Sequence, residues 1–349
     1  MSLDFGGGDD IRFERRGLAG IVTLTRPKSL NAVTHPMVLA LERALDAWLG
    51  DDGVRVVIIK AEGRAFSAGG DIVDIYRAGM AGKPPVRFFA DEYRLNAKIA
   101  AYPKPYVALV NGIAMGGGVG VSYHGSHRVV TENAVFAMPE VGIGFFPDVG
   151  GSYLLSRLKG GFGLYLGLTG TRIRWGDQLW CGLATHAVRS EALAGLVEQI
   201  AETGEPDAAL SAVCEKPPRE TDEARRFAID KHFSLGSLKD IVASLESAAA
   251  DDPFASETLA TLRSKSPTSL HVAFAQIVAG AALEMPECMK MEFRILNRML
   301  AGPDFYEGIR AAVIDKDNAP VWRPARLEEV DAAATDAYFA PLGEEELQL

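Results

Sequence analysis

Cysteine is scarce in this chain, basic residues are outnumbered, and long apolar runs are missing; each shortage removes a class of function. The three cysteines, Cys181, Cys214 and Cys288, are odd in number and far apart. They make neither a disulfide framework nor a Cys-x-x-Cys metal motif, and they fit a reducing compartment. Lysine and arginine number 36 against 46 aspartates and glutamates, a net charge of −10. That balance argues against a nucleic-acid binder, which would carry a basic stripe. No window approaches the roughly 18 apolar residues of a membrane span. The segment Met1 to Asp10 lacks the basic start and apolar stretch of a secretory signal and the arginines of a transit peptide. The expectation is a cytoplasmic protein with no nucleic-acid or membrane partner. An anionic substrate is still allowed, because only the local field matters at a pocket. His124 and His127 have no third ligand spaced near them, so no metal site is expected.

What the chain has is glycine, 36 residues in 349, with an apolar content of 48%. The length suits one large domain or two ordinary ones. Two glycine clusters stand out. Asn111 to Gly120 reads Asn-Gly-Ile-Ala-Met-Gly-Gly-Gly-Val-Gly and follows the apolar run Tyr106 to Val110; Ser67-Ala68-Gly69-Gly70-Asp71 precedes it. Glycine permits close backbone approach, and a strand, a glycine turn and a helix start together present free N–H groups. Tight strand–helix packing needs glycines just as much, so the run alone does not decide between a ligand and packing.

In chain order, Ile11–Arg16 and Ile21–Thr25 read as a hairpin around Gly17 and Gly20. Thr34-His35-Pro36 opens an amphipathic helix with Val38, Leu41, Leu45 and Trp48 on one face. Val54–Lys60 is a nearly continuous apolar strand, as in a sheet covered on both faces. This β-α-β order predicts an α/β fold with parallel strands. A helix follows Lys83-Pro84-Pro85, then strands at 106–110, 127–131 and 135–137, with a helix over 119–124 between them. Met138 to Gly151, with two carboxylates and two prolines, is too irregular for a strand, and a helix starts near Ser152. Beyond about residue 190 strand patterns stop. Glu202 to Glu223 reads as a mobile connection, and the rest as helices. Ser266-Pro267 is a cap and N1 proline before a stripe of Leu270, Phe274, Ile277, Val278 and Ala281; Asp304 and Glu307 have capping-box spacing. The expected division is an α/β core at 1–205 and an all-helical C-terminal region at 206–349.

Several multi-residue strings then occur in a telling order: Ala65 to Ile72, Asn111 to Gly118, and Met138-Pro139-Glu140. Together they resemble the enoyl-CoA hydratase/isomerase (crotonase) superfamily. Phe136 to Leu168, Ser266 to Leu270, Met291 to Arg294 and Ile314 to Asp317 are similar to the branch that hydrolyses 3-hydroxyisobutyryl-CoA. The likeness runs from about Val22 to Val330. It implies a spiral of ββα units, a CoA thioester as substrate and no metal or redox cofactor. It also implies an oxyanion hole from the N–H groups of Gly70 and Gly117, and this agrees with both lying at glycine turns where a carbonyl can approach. Trimeric cores are common in the superfamily, so a homo-oligomer is an expectation with no subunit number attached.

The chain departs from the hydratases at Gly120, where they carry the first of two glutamates. Glu140 keeps the second. One carboxylate plus an oxyanion hole suits attack on the carbonyl rather than on a double bond. The catalytic residues implied are Glu140, Asp148, Gly70 and Gly117. Substrate contacts are expected at Glu92, Gly117, Glu140, Asp148, Ala68, Ile72 and Lys28. Burial beside Met138 and Phe145 would raise the Glu140 pKa toward that of a useful base. Asp148 could bond a 3-hydroxyl or simply cap the next helix. Glu92 competes with an ordinary solvated helix face shared with Asp91, and Asp71 is expected to order its loop. The alternatives are an enoyl-CoA hydratase or isomerase with a replacement acid such as Glu92, and a non-catalytic CoA-binding protein.

Overall fold

The computed structural model describes residues 2–349, and within them the chain forms two compact units. One comprises residues 1–71, 91–136 and 173–220; the other comprises 72–90, 137–172 and 221–349. The chain therefore enters each unit three times, and packing does not follow a single cut near residue 205.

The first unit is built on β-structure. Its strands are β1 (Ser2–Leu3), β2 (Ile11–Arg16), β3 (Ala19–Leu24), β4 (Val56–Ala61), β5 (Ala65–Ser67), β6 (Tyr106–Val110), β7 (Ile113–Met115), β8 (His127–Val130), β9 (Val135–Ala137), β10 (Ile173–Arg174) and β11 (His186–Ala187). Seven of them make one sheet in the order β1-β2-β3-β4-β6-β8-β11, and four make a second, β10-β9-β7-β5. β2 and β3 are the expected antiparallel hairpin, whereas β3, β4, β6, β8 and β11 pair in parallel. β3 and β6 are buried along their whole length, as strands covered on both faces must be. On one face Ile21, Val56, Ile58, Val107, Leu109 and Val129 alternate with period two and pack against Leu196, Ile200, Ala209 and Leu210. The helix His35–Leu49 buries Val38, Leu41, Leu45 and Trp48 as its spacing predicts. Burying each such side chain contributes about 1.5–3 kcal/mol.

Three expectations in these segments change, and one strand, β5, is additional to them. Residues 202–223 contain the helix Pro206–Val213, which starts on an N1 proline and buries Ala209 and Leu210; that contact with the sheet makes the segment structural. The helix expected at 119–124 is the single turn Gly117–Gly120. β5 lies hidden inside the first glycine loop, where a three-residue strand gives no periodic signal. Asp91, read as solvated, pairs with His35 at 2.7 Å and Arg94 at 2.8 Å.

The second unit is helical from residue 221 onward. Its main helices are Glu223–Phe233, Leu238–Ala248, Pro253–Arg263, Pro267–Gly280, Met285–Met299 and Pro303–Ile309. The earlier segments 137–172 pack among them by close backbone approach. A Cβ on Gly280 would lie 2.4 Å from the Ser152 carbonyl oxygen, and one on Gly308 2.3 Å from that of Ile143. Ser266 caps its helix as expected, accepting from the Ser269 amide. Val278 and Ala281 are exposed, contrary to the expected stripe, and the inward face carries Gln276. Asp304 and Glu307 do not form a capping box. Asp304 accepts from the Ser266 hydroxyl and the Arg323 amide, and Glu307 from Arg310 and the Val321 amide.

Candidate functional site

The expected site residues fall in both units, and each group is described within its own. In the first unit, the parallel bridge between Val33 and Gly70 sets the first glycine cluster. Val33 donates to the Gly69 oxygen at 2.8 Å and Asp71 donates back to the Val33 oxygen at 3.2 Å. Successive amides of an extended strand point to opposite sides, so the Gly70 N–H is turned away from Val33. Gly117 opens the single helical turn after Gly116, whose φ of 47° suits glycine, and first-turn amides have no intrahelical acceptor. Among the described residues neither amide has an acceptor. The two positions are close: a Cβ on Gly117 would lie 3.4 Å from the Gly70 nitrogen and 2.7 Å from Glu92 Oε1. The space at Gly117 is thus bordered by an amide donor and a buried carboxylate. Gly112 and Gly118 play the packing role, since a Cβ on either would meet backbone oxygens of Arg64 or Ser67 at 2.3–2.4 Å. The run therefore serves both purposes, at different glycines.

Glu92 faces inward and is 2% exposed, so the solvated-face reading does not hold for it. Asp71 binds Arg26 at 3.2 Å, and Arg26 also donates to the Ala32 oxygen, which ties the glycine loop to the turn after β3. Ala68 donates to the Leu30 oxygen at 3.0 Å, and Lys28 is exposed. Ile72, half-buried, starts the helix Ile72–Met80 of the second unit.

In the second unit Glu140 begins the turn Glu140–Ile143 and is 6% exposed. The turn is fixed from several directions. Val141 accepts from the Ser266 amide, Gly144 at φ 70° leaves room where a Cβ would lie 2.2 Å from the Asp304 oxygen, and Phe145 packs on Phe305 with ring centres 4.6 Å apart. Glu140 Oε2 is buried without a hydrogen-bond partner among the described residues. Burial raises the Glu140 pKa well above the ordinary carboxylate range, and the charges of Asp148 and Glu292 raise it further. Those three acids form one electrostatic group. Asp148 is buried in the loop before the helix Gly151–Ser156, but Gly150 holds the N-cap position, so Asp148 is not the cap.

That part is taken by a residue that the sequence reading quoted within the string Met291 to Arg294 but gave no role. Glu292, on Met285–Met299, is fully buried and accepts from the Gly150 amide at 2.8 Å, the Ser152 amide at 3.0 Å and the Ser152 hydroxyl. Burial lifts its pKa to about 8 against the opposing pull of these bonds. Its position inside an apolar helix face was the available signal. Among the described residues no cluster of histidine, cysteine and acidic side chains could hold a metal.

With the geometry in view, the relatives can be placed. A family model described as enoyl-CoA hydratase/isomerase matches residues 19–339. The chain belongs to that family. Within it, the Danio rerio protein named 3-hydroxyisobutyryl-CoA hydrolase, mitochondrial, is 44% identical over 98% of this chain and 92% of its own. The Homo sapiens protein of the same name is 40% identical over 100% and 93%. This places the chain in the family's 3-hydroxyisobutyryl-CoA hydrolase branch. Two solved structures superpose with a TM-score of 0.91. One is described as a carnitinyl-CoA dehydratase from Mycobacterium thermoresistibile, 42% identical over 98% of this chain and 99% of that one. The other is described as an enoyl-CoA hydratase from Rhodobacter sphaeroides 2.4.1, 40% identical over 97% and 100%. The expected crotonase-like fold with a helical C-terminal region is thus established for this family member. The cytoplasmic expectation is overturned: the relatives are named as mitochondrial proteins. Free cysteines exclude a disulfide scaffold but do not separate one reducing compartment from another.

Proposed function

We propose that this chain hydrolyses the thioester of 3-hydroxyisobutyryl-CoA, or of a close β-hydroxyacyl-CoA, to the free hydroxy acid and CoA, a step of valine breakdown. The observation that carries the reading is its likeness, at 40–44% identity and nearly full length, to curated relatives bearing that name. Gly120 supports it chemically, because the acid that a two-glutamate hydration needs is absent there.

In the proposed reaction the thioester oxygen accepts from the Gly70 and Gly117 amides, an oxyanion hole. A preorganised donor of this kind is worth roughly 3–4 kcal/mol in acyl chemistry. Glu140, as carboxylate, takes a proton from water while the water oxygen bonds the acyl carbon. Collapse breaks the carbon–sulfur bond, and the leaving thiolate takes the proton back from Glu140. In the alternative course Glu140 itself attacks, giving a mixed anhydride that water then opens. A single turnover in oxygen-18 water separates the two, since label in the enzyme carboxylate would reject the general-base course. Asp148 accepts from the 3-hydroxyl, so that an analogue lacking it forfeits that hydrogen bond. Glu92, Ala68, Ile72 and Lys28 contribute to substrate binding, and the reaction as proposed draws on no cofactor.

A hydratase or dehydratase is the second reading. The descriptions of the two superposing structures favour it, and so does the burial of Glu92 against Gly117, which could replace the missing acid. Offering 3-hydroxyisobutyryl-CoA and crotonyl-CoA in parallel decides. Thiol release from the first alone is expected. Loss of enoyl absorbance from the second without thiol would overturn the hydrolase.

A further inference from the structure

We propose that Glu292 is a positioning residue: its buried carboxylate fixes the loop from Pro147 to Ser152, and through it Asp148, so that it sets the preference for an acyl group bearing a 3-hydroxyl. The inference rests on the hydrolase reading and on the role given there to Asp148.

Three observations carry it. The first is the chemistry of the clamp. Glu292 is fully buried, and each of its oxygens accepts a backbone amide on the far side of Asp148, from Gly150 and Ser152, with the Ser152 hydroxyl as a further donor. A buried carboxylate is an expensive way to satisfy two amides, and an apolar helix face offers no other reason for an acid. The second is the backbone. Val149 has φ 49° and Gly150 φ 86°. A β-branched residue in the left-handed region is a rare conformation that persists only where its surroundings impose it. The clamp acts on the next residue. The third is that the near side is tied as well. Gln276 Nε2 donates to the Pro147 oxygen at 2.7 Å, and the Asp148 oxygen accepts from the Gly151 amide at 2.7 Å. Asp148 therefore sits on a backbone segment whose conformation is dictated from the helices Pro267–Gly280 and Met285–Met299. Replacing the acid frees the backbone to relax toward ordinary φ values and swings the Asp148 side chain.

A purely structural role predicts lost stability and nothing else, so the readout is selectivity. Thiol release is measured with 3-hydroxyisobutyryl-CoA and with isobutyryl-CoA, which lacks the hydroxyl, for the full-length wild type, Glu292→Gln and Asp230→Asn. Asp230 accepts from the Gly161 amide at the start of a different helix in the same unit, so Asp230→Asn makes the same acid-to-amide change at an amide-accepting side chain away from Asp148. We expect Glu292→Gln to lose at least about tenfold of the kcat/KM preference for the hydroxylated substrate, mainly through KM, and Asp230→Asn to keep it. An unchanged preference in Glu292→Gln overturns the inference and leaves the hydrolase reading intact. Absence of thiol release by the wild type overturns the reading itself, and the inference with it. Should Glu292→Gln not fold, Glu292→Asp, which keeps the charge but shortens the reach to the Gly150 and Ser152 amides, decides: a drop in preference of about threefold or more supports the clamp, and an unchanged preference overturns it.

Discussion

Glu140 carries a tension that can be measured. Its pKa is raised in the folded protein from an ordinary 4.5, first by burial and then by Asp148. The protonated form is favoured by the fold, so its contribution to stability is complete below about pH 4.5 and is lost as pH rises through the folded value. A neutral glutamine escapes that loss. Glu140→Gln is expected to reduce thiol release by at least about 10²–10⁴-fold, the range for a general base. Its thermal midpoint relative to wild type should be higher at pH 8 than at pH 5. A midpoint difference independent of pH would reject the buried, raised carboxylate. The proposed reaction uses Glu140 in its ionised form, so the acidic limb of kcat/KM should lie above the ordinary carboxylate range. Asp148→Asn removes a neighbouring negative charge and should move that limb to lower pH while weakening hydroxyl selectivity.

At the level of elements, the turn that presents Glu140 depends on a glycine one helix away. The helix Pro303–Ile309 lies so close that a Cβ on Gly308 would be 2.3 Å from both the carbonyl carbon and the oxygen of Ile143. Backbone cannot yield as a flexible side chain can, so Gly308→Ala should destabilise the protein by about 1–3 kcal/mol, the usual cost of overpacking. It should also lower kcat by displacing Glu140. Urea unfolding measures the first and initial rates the second; a wild-type midpoint would show that the contact is slack. Gly308 also illustrates what a sequence withholds. The hairpin of β2 and β3, the strand Tyr106–Val110 and the helix after Thr34 are legible because their patterns are local and periodic. Gly70, Gly117, Glu140 and Asp148 become legible through strings of neighbouring residues. Glu292 lies in such a string, Met291 to Arg294, but its role does not show there, because its partners Gly150 and Ser152 lie 142 and 140 positions away. Asp304 misleads for the same reason: local spacing suggests a cap, but Ser266 and Arg323 claim the side chain.

Across the whole molecule, composition and packing divide the chain differently. Strand patterns end near residue 190, which suggests a self-sufficient first part and a helical second. Yet residues 137–172, which precede that point, belong to the same compact unit as residues 221–349. The later helices contribute supports on both sides of the two acids of this segment: Ser266 holds Val141, Gln276 holds Pro147, Glu292 holds Gly150 and Ser152, and Phe305 packs on Phe145. A fragment ending at residue 205 would leave the segment that carries Phe145, Phe146, Leu155 and Phe162, all buried in the full chain, without the helices of its own unit from residue 221 onward. Large apolar groups exposed together drive association rather than order. The fragment is therefore expected to aggregate or to unfold without a cooperative transition, whereas the full chain unfolds cooperatively. Circular dichroism melts and light scattering on the two proteins make the comparison. A soluble, cooperatively folding 1–205 fragment would mean that the compositional boundary is an autonomous one, and that the helical region supports the acids without being needed to fold the segment that bears them.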